Sequence, residues 1–388
     1  MQQLQDAGGL GIAKKLISSY YAGAKDIAPD KVEQREFGVG NFQTKIAFRH
    51  MRFIAEKDLR AYLSNNAIPY VSCSAAYYKY PDARPMERKG WEGSELVFDL
   101  DVTDMDLKCQ LRHGKSWICS ECLDAVKAET IKLIEKFLVP DFGFAEKDIS
   151  VNFSGNRGYH VHVKNEGILK LDGNARKQIT DYIAGIGITF EELFPNAGER
   201  GAALRGPRPD AKGWKGKLAR NFISSLNSGI DSLTELGIDR KDAANLYRKR
   251  SLVLMGINSG NWDMIYIKNK ADFWKRTIEV QSIRQSDRID RNVTNDPSHL
   301  IRLPNSIHGE TGLLARKLVS TSALYRFDPM TDAIAFGKGE VEMTANSRYE
   351  VRMNGQAYGP YDGNTVKVPV YVGIYLYLKG AAEIRNLN

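Results

Sequence analysis

Three segments between residues 95 and 164 alternate apolar and polar side chains, and this pattern constrains the fold more than any other feature of the chain. The alternation runs through residues 95–103, 148–154 and 159–164. Successive side chains of a β-strand point to opposite faces, so each segment predicts a strand with one apolar and one polar face. Residues 155–158, Gly-Asn-Arg-Gly, join the second and third segments as a hairpin turn. We expect the three polar faces to line one open surface of an antiparallel sheet.

The rest of the chain mixes helical and strand-like patterns. Apolar residues recur at helical spacing in residues 11–23, 56–64 and 123–138. Further strands are predicted from the runs at residues 42–48, 69–78, 322–327, 348–352 and 366–377. Residues 170–278 are largely helical in pattern, which indicates a helical insertion. The predicted fold class is therefore α+β.

Length and composition indicate a globular protein of two or three domains. Of its 388 residues, 43% are hydrophobic and 26% are charged, which excludes a disordered or collagen-like chain. The formal net charge of +8 favours a polyanionic partner. The first residues lack the pattern of a secretory signal, and the longest apolar run, residues 368–378, is shorter than the ~18 residues that a membrane span needs. We expect a soluble intracellular protein that binds no membrane.

Asp99 and Asp101 lie two residues apart on the first predicted strand. Residues at this spacing point to the same side, about 6.8 Å apart, so their carboxylates can converge on hard cations above the sheet. Such a pair fits a two-metal site for phosphoryl transfer. The alternative is two acidic residues on a solvated strand face.

The hairpin turn carries the motif Ser154-Gly-Asn-Arg157-Gly-Tyr-His160. Its glycines allow backbone N–H groups to approach an anion, and Arg157 offers a planar fork for phosphate oxygens. Ser154 and His160 are expected on the same polar face, so the motif predicts a triphosphate cradle. The alternative is a plain hairpin turn, and His162 is expected to be an ordinary exposed strand residue.

The spacing Cys109-x3-His113-x5-Cys119-x2-Cys122 predicts a zinc site. Three thiolates and one imidazole complete the tetrahedral coordination of Zn²⁺ and leave no position for water, so the site should be structural. The alternative is a set of free cysteines in a reducing cell, with His113 merely nearby.

Several motifs occur in the order and spacing of one known family. They are Glu95-Leu-Val-Phe-Asp99-Leu-Asp101, the cysteine cluster that follows it, Ser154-Gly-Asn-Arg157-Gly-Tyr-His160, and Arg302-Leu-Pro-Asn-Ser-Ile-His308-Gly-Glu-Thr-Gly312. In these motifs the chain resembles the small catalytic subunit of archaeal and eukaryotic DNA primase. The segments that resemble its archaeal branch are Arg35-Glu-Phe-Gly, Asp141-Phe-Gly-Phe, Phe327-Asp-Pro and Tyr375-Leu-Tyr-Leu-Lys-Gly.

The resemblance implies template-directed synthesis of a short RNA primer, or a DNA primer, from nucleoside triphosphates on single-stranded DNA. It implies that Asp99 and Asp101 bind two catalytic Mg²⁺ or Mn²⁺ ions together with a third carboxylate. Asp290 lies at the family's offset for this carboxylate, and Asp287 and Asp296 are the alternatives. The residues implied to bind the nucleotide are Ser154, Arg157, His160, Arg49, Arg302 and His308.

Two positions depart from the family's pattern. Glu310 stands where lysine is usual, and Asn156 replaces a common arginine, so the phosphate pocket should be less positive than in the family. A carboxylate that faced the phosphates would repel them, so either Glu310 turns to solvent or another cation compensates. The candidate cations nearby in the sequence are Arg302, Arg316 and Lys317.

The fold implied by the resemblance is an RRM-like antiparallel sheet joined to a second α/β unit, with the active site in the cleft between them. On this basis residues 1–165 form the first part of the catalytic core, with the zinc knuckle of residues 108–122 inserted in it. Residues 166–285 form a mainly helical insertion, and residues 286–388 form the second part of the core.

The resemblance also implies a heterodimer with a primase large subunit, in the cytoplasm of an archaeal cell or in the nucleus if the source is eukaryotic. One alternative is a primer-extending repair polymerase of the same superfamily, against which the zinc knuckle argues. The other is a non-catalytic zinc module that binds nucleic acid, against which the aspartate pair and the anion-binding loop argue.

Overall fold

The chain folds into antiparallel strands and helices. The structure is a computed structural model, and it describes residues 7–197, 199, 201–264, 267, 272–277 and 290–387. The strands, numbered along the chain, are β1 (Phe37–Gly40), β2 (Phe48–Met51), β3 (Tyr70–Ser74), β4 (Ala76–Tyr78), β5 (Trp91–Ser94), β6 (Leu96–Asp101), β7 (Ile149–Phe153), β8 (Gly158–Val163), β9 (Leu300–Arg302), β10 (Glu340–Ser347), β11 (Val351–Met353), β12 (Gln356–Tyr358), β13 (Tyr361–Pro369) and β14 (Ala382–Leu387). The helices include Ala7–Gly23, Glu56–Asn65, Gln110–His113, Ser120–Leu133, Gly173–Ala184, Phe190–Leu193, Gly213–Ser228, Ile230–Glu235, Arg240–Arg248, Arg250–Asn258, Arg291–Asn295, Pro329–Asp332 and Val370–Leu378. The α+β class predicted from the sequence is confirmed.

The three alternating segments form one antiparallel sheet in the order β6-β8-β7. Asp99 of β6 pairs with His160 of β8, which pairs with Asn152 of β7, so these polar residues form one row across the sheet. The opposite face carries apolar residues that are almost fully buried and pack against the helix Ser120–Leu133. Burial of this face fixes the register, because a slip of one residue would turn every apolar side chain outward.

The prediction that His160 and His162 are exposed is wrong. Their exposed fractions are 5% and 8%. His162 is held by a contact of 2.9 Å between its Nδ1 and Oε2 of Glu95. His160 lies close enough to Arg302 and His299 for both to affect its pKa. Segments distant in the sequence therefore cover this face of the sheet, which alternation within one segment cannot reveal.

A second antiparallel sheet has the order β2-β1-β3-β9. Strand β9 pairs with β3 through Ser72 and Arg302, which places Arg302 within this sheet. Gly38, Ser72 and Arg302 form one row across this sheet, so the side chains of Ser72 and Arg302 lie on one face. The helices Ala7–Gly23 and Glu56–Asn65 pack against each other.

Four of the strand predictions differ from the structure. In the run 348–352 only the last two residues lie in a strand, β11. The segment 42–48 is irregular until β2 begins at Phe48, and residues 321–325 form a 3₁₀ helix. The run 366–377 divides at Pro369, where β13 ends and the helix Val370–Leu378 begins. Seven of the nine residues of that helix are buried. A short helix buried on every side has no polar face, so its sequence cannot be distinguished from that of a buried strand.

The chain forms two compact units. The first comprises Met1–Glu135, Gly143–Lys177 and Ile289–Asn388, and it contains both sheets described above. The second comprises Lys136–Phe142 and Gln178–Arg288, and its core includes the contacting aromatic rings of Phe222, Trp262 and Trp274. The domain boundaries predicted from the resemblance stay a prediction. Among the described residues no helix is both long and apolar enough to cross a membrane.

Candidate active site and zinc site

Asp99, Asp101 and Asp290 lie together at the edge of the first sheet. Asp99 and Asp101 are on β6, and the backbone N–H of Asp290 donates a 3.0 Å hydrogen bond to the carbonyl oxygen of Asp99. Asp290 caps the helix Arg291–Asn295, since its Oδ1 accepts from the backbone N–H of Asn292. Asp287 lies outside the described residues, and Asp296 at the other end of this helix accepts hydrogen bonds from Ser298.

At this edge of the sheet, burial and neighbouring carboxylates raise the pKa of two aspartates. Burial, and after it the negative charges of Asp101 and Asp290, together raise the pKa of Asp99 to about 7. Burial and the same two charges also raise the pKa of Asp104. Carboxylate oxygens are the ligands that Mg²⁺ and Mn²⁺ prefer, so the chemistry of this group fits a divalent cation that would relieve the repulsion.

Arg157 and Thr103 hold the side chain of Asp101. Its Oδ2 accepts from Nε of Arg157 at 2.9 Å, and its Oδ1 accepts from the backbone N–H and Oγ1 of Thr103 at 2.8 and 2.7 Å. Arg157 follows Ser154 in the hairpin turn, so the predicted anion-binding loop lies directly beside the predicted metal ligands. About a third of the Arg157 side chain is exposed, which leaves it accessible to a ligand.

Ser154 and two glycines shape this loop. Oγ of Ser154 accepts from the backbone N–H groups of Gly158 at 3.1 Å and Asn156 at 3.4 Å. Gly155 has φ +85°, and a Cβ there would lie 2.7 Å from Cβ of His308, so only glycine fits. Oγ1 of Thr311 donates to the carbonyl oxygen of Gly155 at 2.6 Å. The hairpin turn and the segment 308–312 are thus packed together.

His160 and His308 are buried near this loop and Arg302 is half-buried. Two of these three residues have a buried atom without a hydrogen-bond partner among the described residues. These atoms are Nδ1 of His160 and Nη1 of Arg302. Burial lowers the pKa of His160 to about 3, so its ring is neutral at physiological pH. Burial, Arg302, Lys379, Lys45 and Arg157 all lower the pKa of His308. Buried polar atoms normally have partners, so a polar ligand such as a phosphate would complete the site.

The guanidinium of Arg49 is fixed by Glu36 and Ser298. Its Nε donates to Oε1 of Glu36 at 2.7 Å, and its Nη2 donates to the carbonyl oxygen of Ser298 at 2.9 Å. The Glu36 side chain is fully buried and also lies 3.4 Å from Nζ of Lys89. Sequence reasoning missed Glu36 as a neighbour of Arg49, and the only signal was its place in the motif Arg35-Glu-Phe-Gly.

Lys45 is the cation that compensates Glu310. Its Nζ lies 3.3 Å from Oε1 of Glu310. None of the three cations expected from the sequence, Arg302, Arg316 and Lys317, has an ion pair with Glu310 in the described part of the chain. The other carboxylate oxygen accepts from Nδ2 of Asn156 at 3.4 Å, and Oδ1 of Asn156 accepts from Nζ of Lys379 at 3.2 Å. Sequence reasoning missed Lys45 and Lys379, because neither belongs to a motif with an obvious chemical role.

The predicted zinc ligands lie together in the structure. Within the described ranges, only one group of three or more His, Cys, Asp or Glu side chains has all its ligand atoms within 4.8 Å of one another, and it consists of Cys109, His113, Cys119 and Cys122. The sulfurs of Cys109 and Cys122 are 3.4 Å apart, those of Cys119 and Cys122 are 3.7 Å apart, and Nε2 of His113 is 3.3 Å from Sγ of Cys119. Tetrahedral Zn²⁺ with bonds of about 2.3 Å separates its sulfur ligands by about 3.7 Å. Nδ1 of His113 lies 2.7 Å from the carbonyl oxygen of Gly114, which leaves Nε2 for the metal. The residues therefore fit zinc.

Comparison with known proteins identifies relatives over nearly the whole chain. The family model described as DNA primase small subunit matches residues 98–319. The chain is 35% identical to the DNA primase small subunit PriS of Methanothrix thermoacetophila, over 94% of this chain and 96% of the relative. It is 34% identical to the protein of the same name from Methanococcoides burtonii, over 95% and 97% of the two chains, and 31% identical to that from Thermoplasma volcanium, over 95% and 96%.

Proposed function

The chain belongs to the DNA primase small-subunit family, and from this membership we propose how its residues make a primer. It is the catalytic subunit of a DNA primase, a nucleotidyltransferase of the DNA-directed RNA polymerase type. A small subunit implies a large one, so we propose that it acts in a heterodimer with a primase large subunit. The substrates proposed are a single-stranded DNA template and nucleoside triphosphates, and the product is a short RNA or DNA primer. Its location in the cytoplasm of an archaeal cell stays a prediction.

The proposed mechanism rests on the backbone hydrogen bond from Asp290 to Asp99. Asp101 lies on the same strand as Asp99, two residues further along. Asp290 also forms an isolated antiparallel bridge with Asp99, which puts its side chain on the same face as those of Asp99 and Asp101, so the three carboxylates share one face. We propose that they hold two Mg²⁺ or Mn²⁺ ions, which when bound would activate the attacking hydroxyl and neutralise the charge on the departing pyrophosphate.

Arg157, His160 and Arg302 are proposed to orient the triphosphate. Arg157 can share its guanidinium between Asp101 and a phosphate, because a guanidinium has five N–H donors and Asp101 uses one. The partnerless Nη1 of Arg302 and Nδ1 of His160 provide two further contacts. His160 and His308 carry no charge at physiological pH, so they can position phosphate oxygens by hydrogen bonding without holding the product by charge.

The loop from Ser154 to Gly158 and the segment that contains His308 are proposed as the two sides of the nucleotide site. Ser154 fixes the loop through its own backbone contacts, and Arg49 is held by Glu36 as a further basic contact. We assign the two sheets to the two parts of the fold that the family resemblance implies. The sheet β6-β8-β7 would be the RRM-like sheet, the sheet β2-β1-β3-β9 would belong to the second α/β unit, and the site would lie between them.

The four residues Cys109, His113, Cys119 and Cys122 are proposed to hold a structural Zn²⁺. All four positions of a tetrahedral ion would be filled, so the ion would cross-link the short helix Gln110–His113 to the start of the helix Ser120–Leu133. Its contribution would be to folding and not to the chemical step.

The experiment that tests the proposed function uses the protein with its large subunit, an unprimed single-stranded template, labelled nucleoside triphosphates and Mg²⁺ or Mn²⁺. New short products support a primase. Extension of a supplied primer only would indicate the repair polymerase, and template binding without synthesis would indicate the non-catalytic module; either result would overturn the proposal.

A further inference from the structure

We propose that Lys379 binds the phosphates of the incoming nucleotide and, with Lys45, supplies the positive charge that the family carries at position 310. This inference rests on the proposed function, because it needs a nucleotide at the site. The inference gives the end of the helix Val370–Leu378 a role in nucleotide binding, which none of the sequence motifs indicates.

The packing of three segments brings Lys379 to the site. Lys379 is the C-cap residue of the helix Val370–Leu378, and a Cβ at Gly312 would lie 2.8 Å from Cγ2 of Ile374 in that helix. Segment 308–312 therefore packs tightly on the helix. The same segment contacts the hairpin turn through His308 and Gly155, as described above. Since Gly312 has φ +71° and Gly155 has φ +85°, both close approaches depend on glycine.

The ammonium of Lys379 is directed at the proposed phosphate loop. Its Nζ donates to Oδ1 of Asn156, the residue that precedes Arg157. An ammonium has three donors, and this bond uses one of them. The pKa of Lys379 is lowered to about 8, first by burial and then by the charges of Arg157 and Lys45, while the charge of Glu310 acts in the opposite direction. A phosphate placed among Lys45, Arg157 and Lys379 would relieve the repulsion between these cations.

Glu310 binds Lys45 directly and is linked to Lys379 through Asn156. One of its oxygens pairs with Lys45, and the other accepts from the amide of Asn156, whose carbonyl oxygen accepts from Lys379. The two departures from the family's pattern, Glu310 and Asn156, are thus in contact with each other. An arginine at position 156 has no acceptor and could not bridge Glu310 to Lys379, so the two changes are consistent with a single rearrangement of the pocket.

The test compares nucleotide KM and kcat in primer synthesis for the wild type, Lys379→Met and Lys379→Arg, each with the large subunit. Methionine keeps most of the length of the side chain and removes its charge. We expect Lys379→Met to raise KM roughly ten-fold or more, as expected for loss of a hydrogen bond to a charged group, with a smaller change in kcat. Lys379→Arg should remain within a few-fold of the wild type, and Lys338→Met, at an exposed lysine, is the matched control.

A second experiment tests whether a lysine at position 310 can replace the positive charge removed at position 379. The double variant Lys379→Met with Glu310→Lys should recover most of the lost KM, because it returns the cation to the family's position. Equilibrium dialysis with a nucleoside triphosphate and Mg²⁺ gives the same comparison without catalysis. An unchanged KM in Lys379→Met, or no recovery in the double variant, would overturn the inference while the active wild type leaves the proposed function intact. Failure of the wild type to make primers would instead overturn the proposed function.

Discussion

At the scale of single residues, the candidate site combines charges that repel one another in the absence of a ligand. Asp99 is crowded by Asp101 and Asp290, and Lys379 is crowded by Arg157 and Lys45. Cations and a triphosphate would relieve both kinds of repulsion at once, since each supplies the missing opposite charge. Repulsion between these charges lowers the stability of the folded protein, and the burial of the surrounding sheets offsets this loss.

Asp99→Asn and Asp101→Asn should each abolish primer synthesis and leave the fold intact. A neutral amide cannot hold a divalent cation against its hydration shell. Activity should fall below about a tenth of the wild type, which corresponds to a barrier increase of more than about 1.4 kcal/mol. The measurement is product formation on an unprimed template, with Asp106→Asn, at a fully exposed carboxylate, as the control. Retention of more than a tenth of the activity by either variant would contradict the metal assignment.

Glu36→Gln should lower the stability of the protein. Its carboxylate is fully buried and lies beside Arg49 and the equally buried Lys89, so its removal leaves a buried cation without its partner. Breaking a buried pair in this way costs about 3–5 kcal/mol. Urea denaturation measures the free energy of unfolding, and Glu350→Gln, which breaks an exposed pair with Arg352, should change it by less than about 1 kcal/mol. Equal effects of the two substitutions would contradict the structural role of Glu36.

At the scale of secondary-structure elements, the alternating pattern predicted β6, β7 and β8 well because one face of each strand is apolar and buried. The same reasoning failed for His160 and His162, since it reports which residues share a face and not what covers that face. It also failed for Val370–Leu378, a helix buried on all sides. Motifs singled out Asp99, Ser154 and His308 as candidate site residues, whereas the contact of Lys379 with Asn156 depends on tertiary packing and could not be predicted from the sequence.

Cys119→Ser and Cys122→Ser should each lose the zinc ion and unfold residues 108–122 locally. The short helix Gln110–His113 has four residues and is too short to be stable alone. Structural zinc contributes on the order of 10 kcal/mol to folding in small zinc domains. Zinc content by elemental analysis and hydrogen exchange of this segment are the measurements, and Cys73→Ser, at a buried cysteine outside the cluster, should keep the zinc. Wild-type protein purified without chelator and found to contain no zinc would contradict the assignment.

At the scale of the whole molecule, the net charge of +8 suits a protein that acts on polyanions. Binding of a nucleic acid releases the counterions of its phosphates, so affinity depends on salt. This charge is a property of composition and was available from the sequence. The arrangement of the carboxylates beside the cations was not, because Asp290 is separated from Asp99 by the second compact unit in the sequence.

Affinity for single-stranded DNA should fall as the salt concentration rises. If three phosphates are neutralised, the fall should be roughly 20-fold between about 50 and 200 mM salt. Fluorescence anisotropy with a labelled oligonucleotide measures it, and a peptide nucleic acid of the same sequence, which lacks phosphates, is the control. Equal salt dependence for the two ligands would contradict electrostatic binding of the template.

Primer synthesis on an unprimed template by Asp290→Asn and Asp296→Asn tests the central claim most directly. The two aspartates lie six residues apart and both cap local backbone, but only Asp290 has its backbone bonded to Asp99. We expect Asp290→Asn to retain less than about a tenth of the activity, a barrier increase of at least about 1.4 kcal/mol, and Asp296→Asn to retain most of it. Full activity of Asp290→Asn, with or without loss in Asp296→Asn, would contradict the proposed three-carboxylate centre.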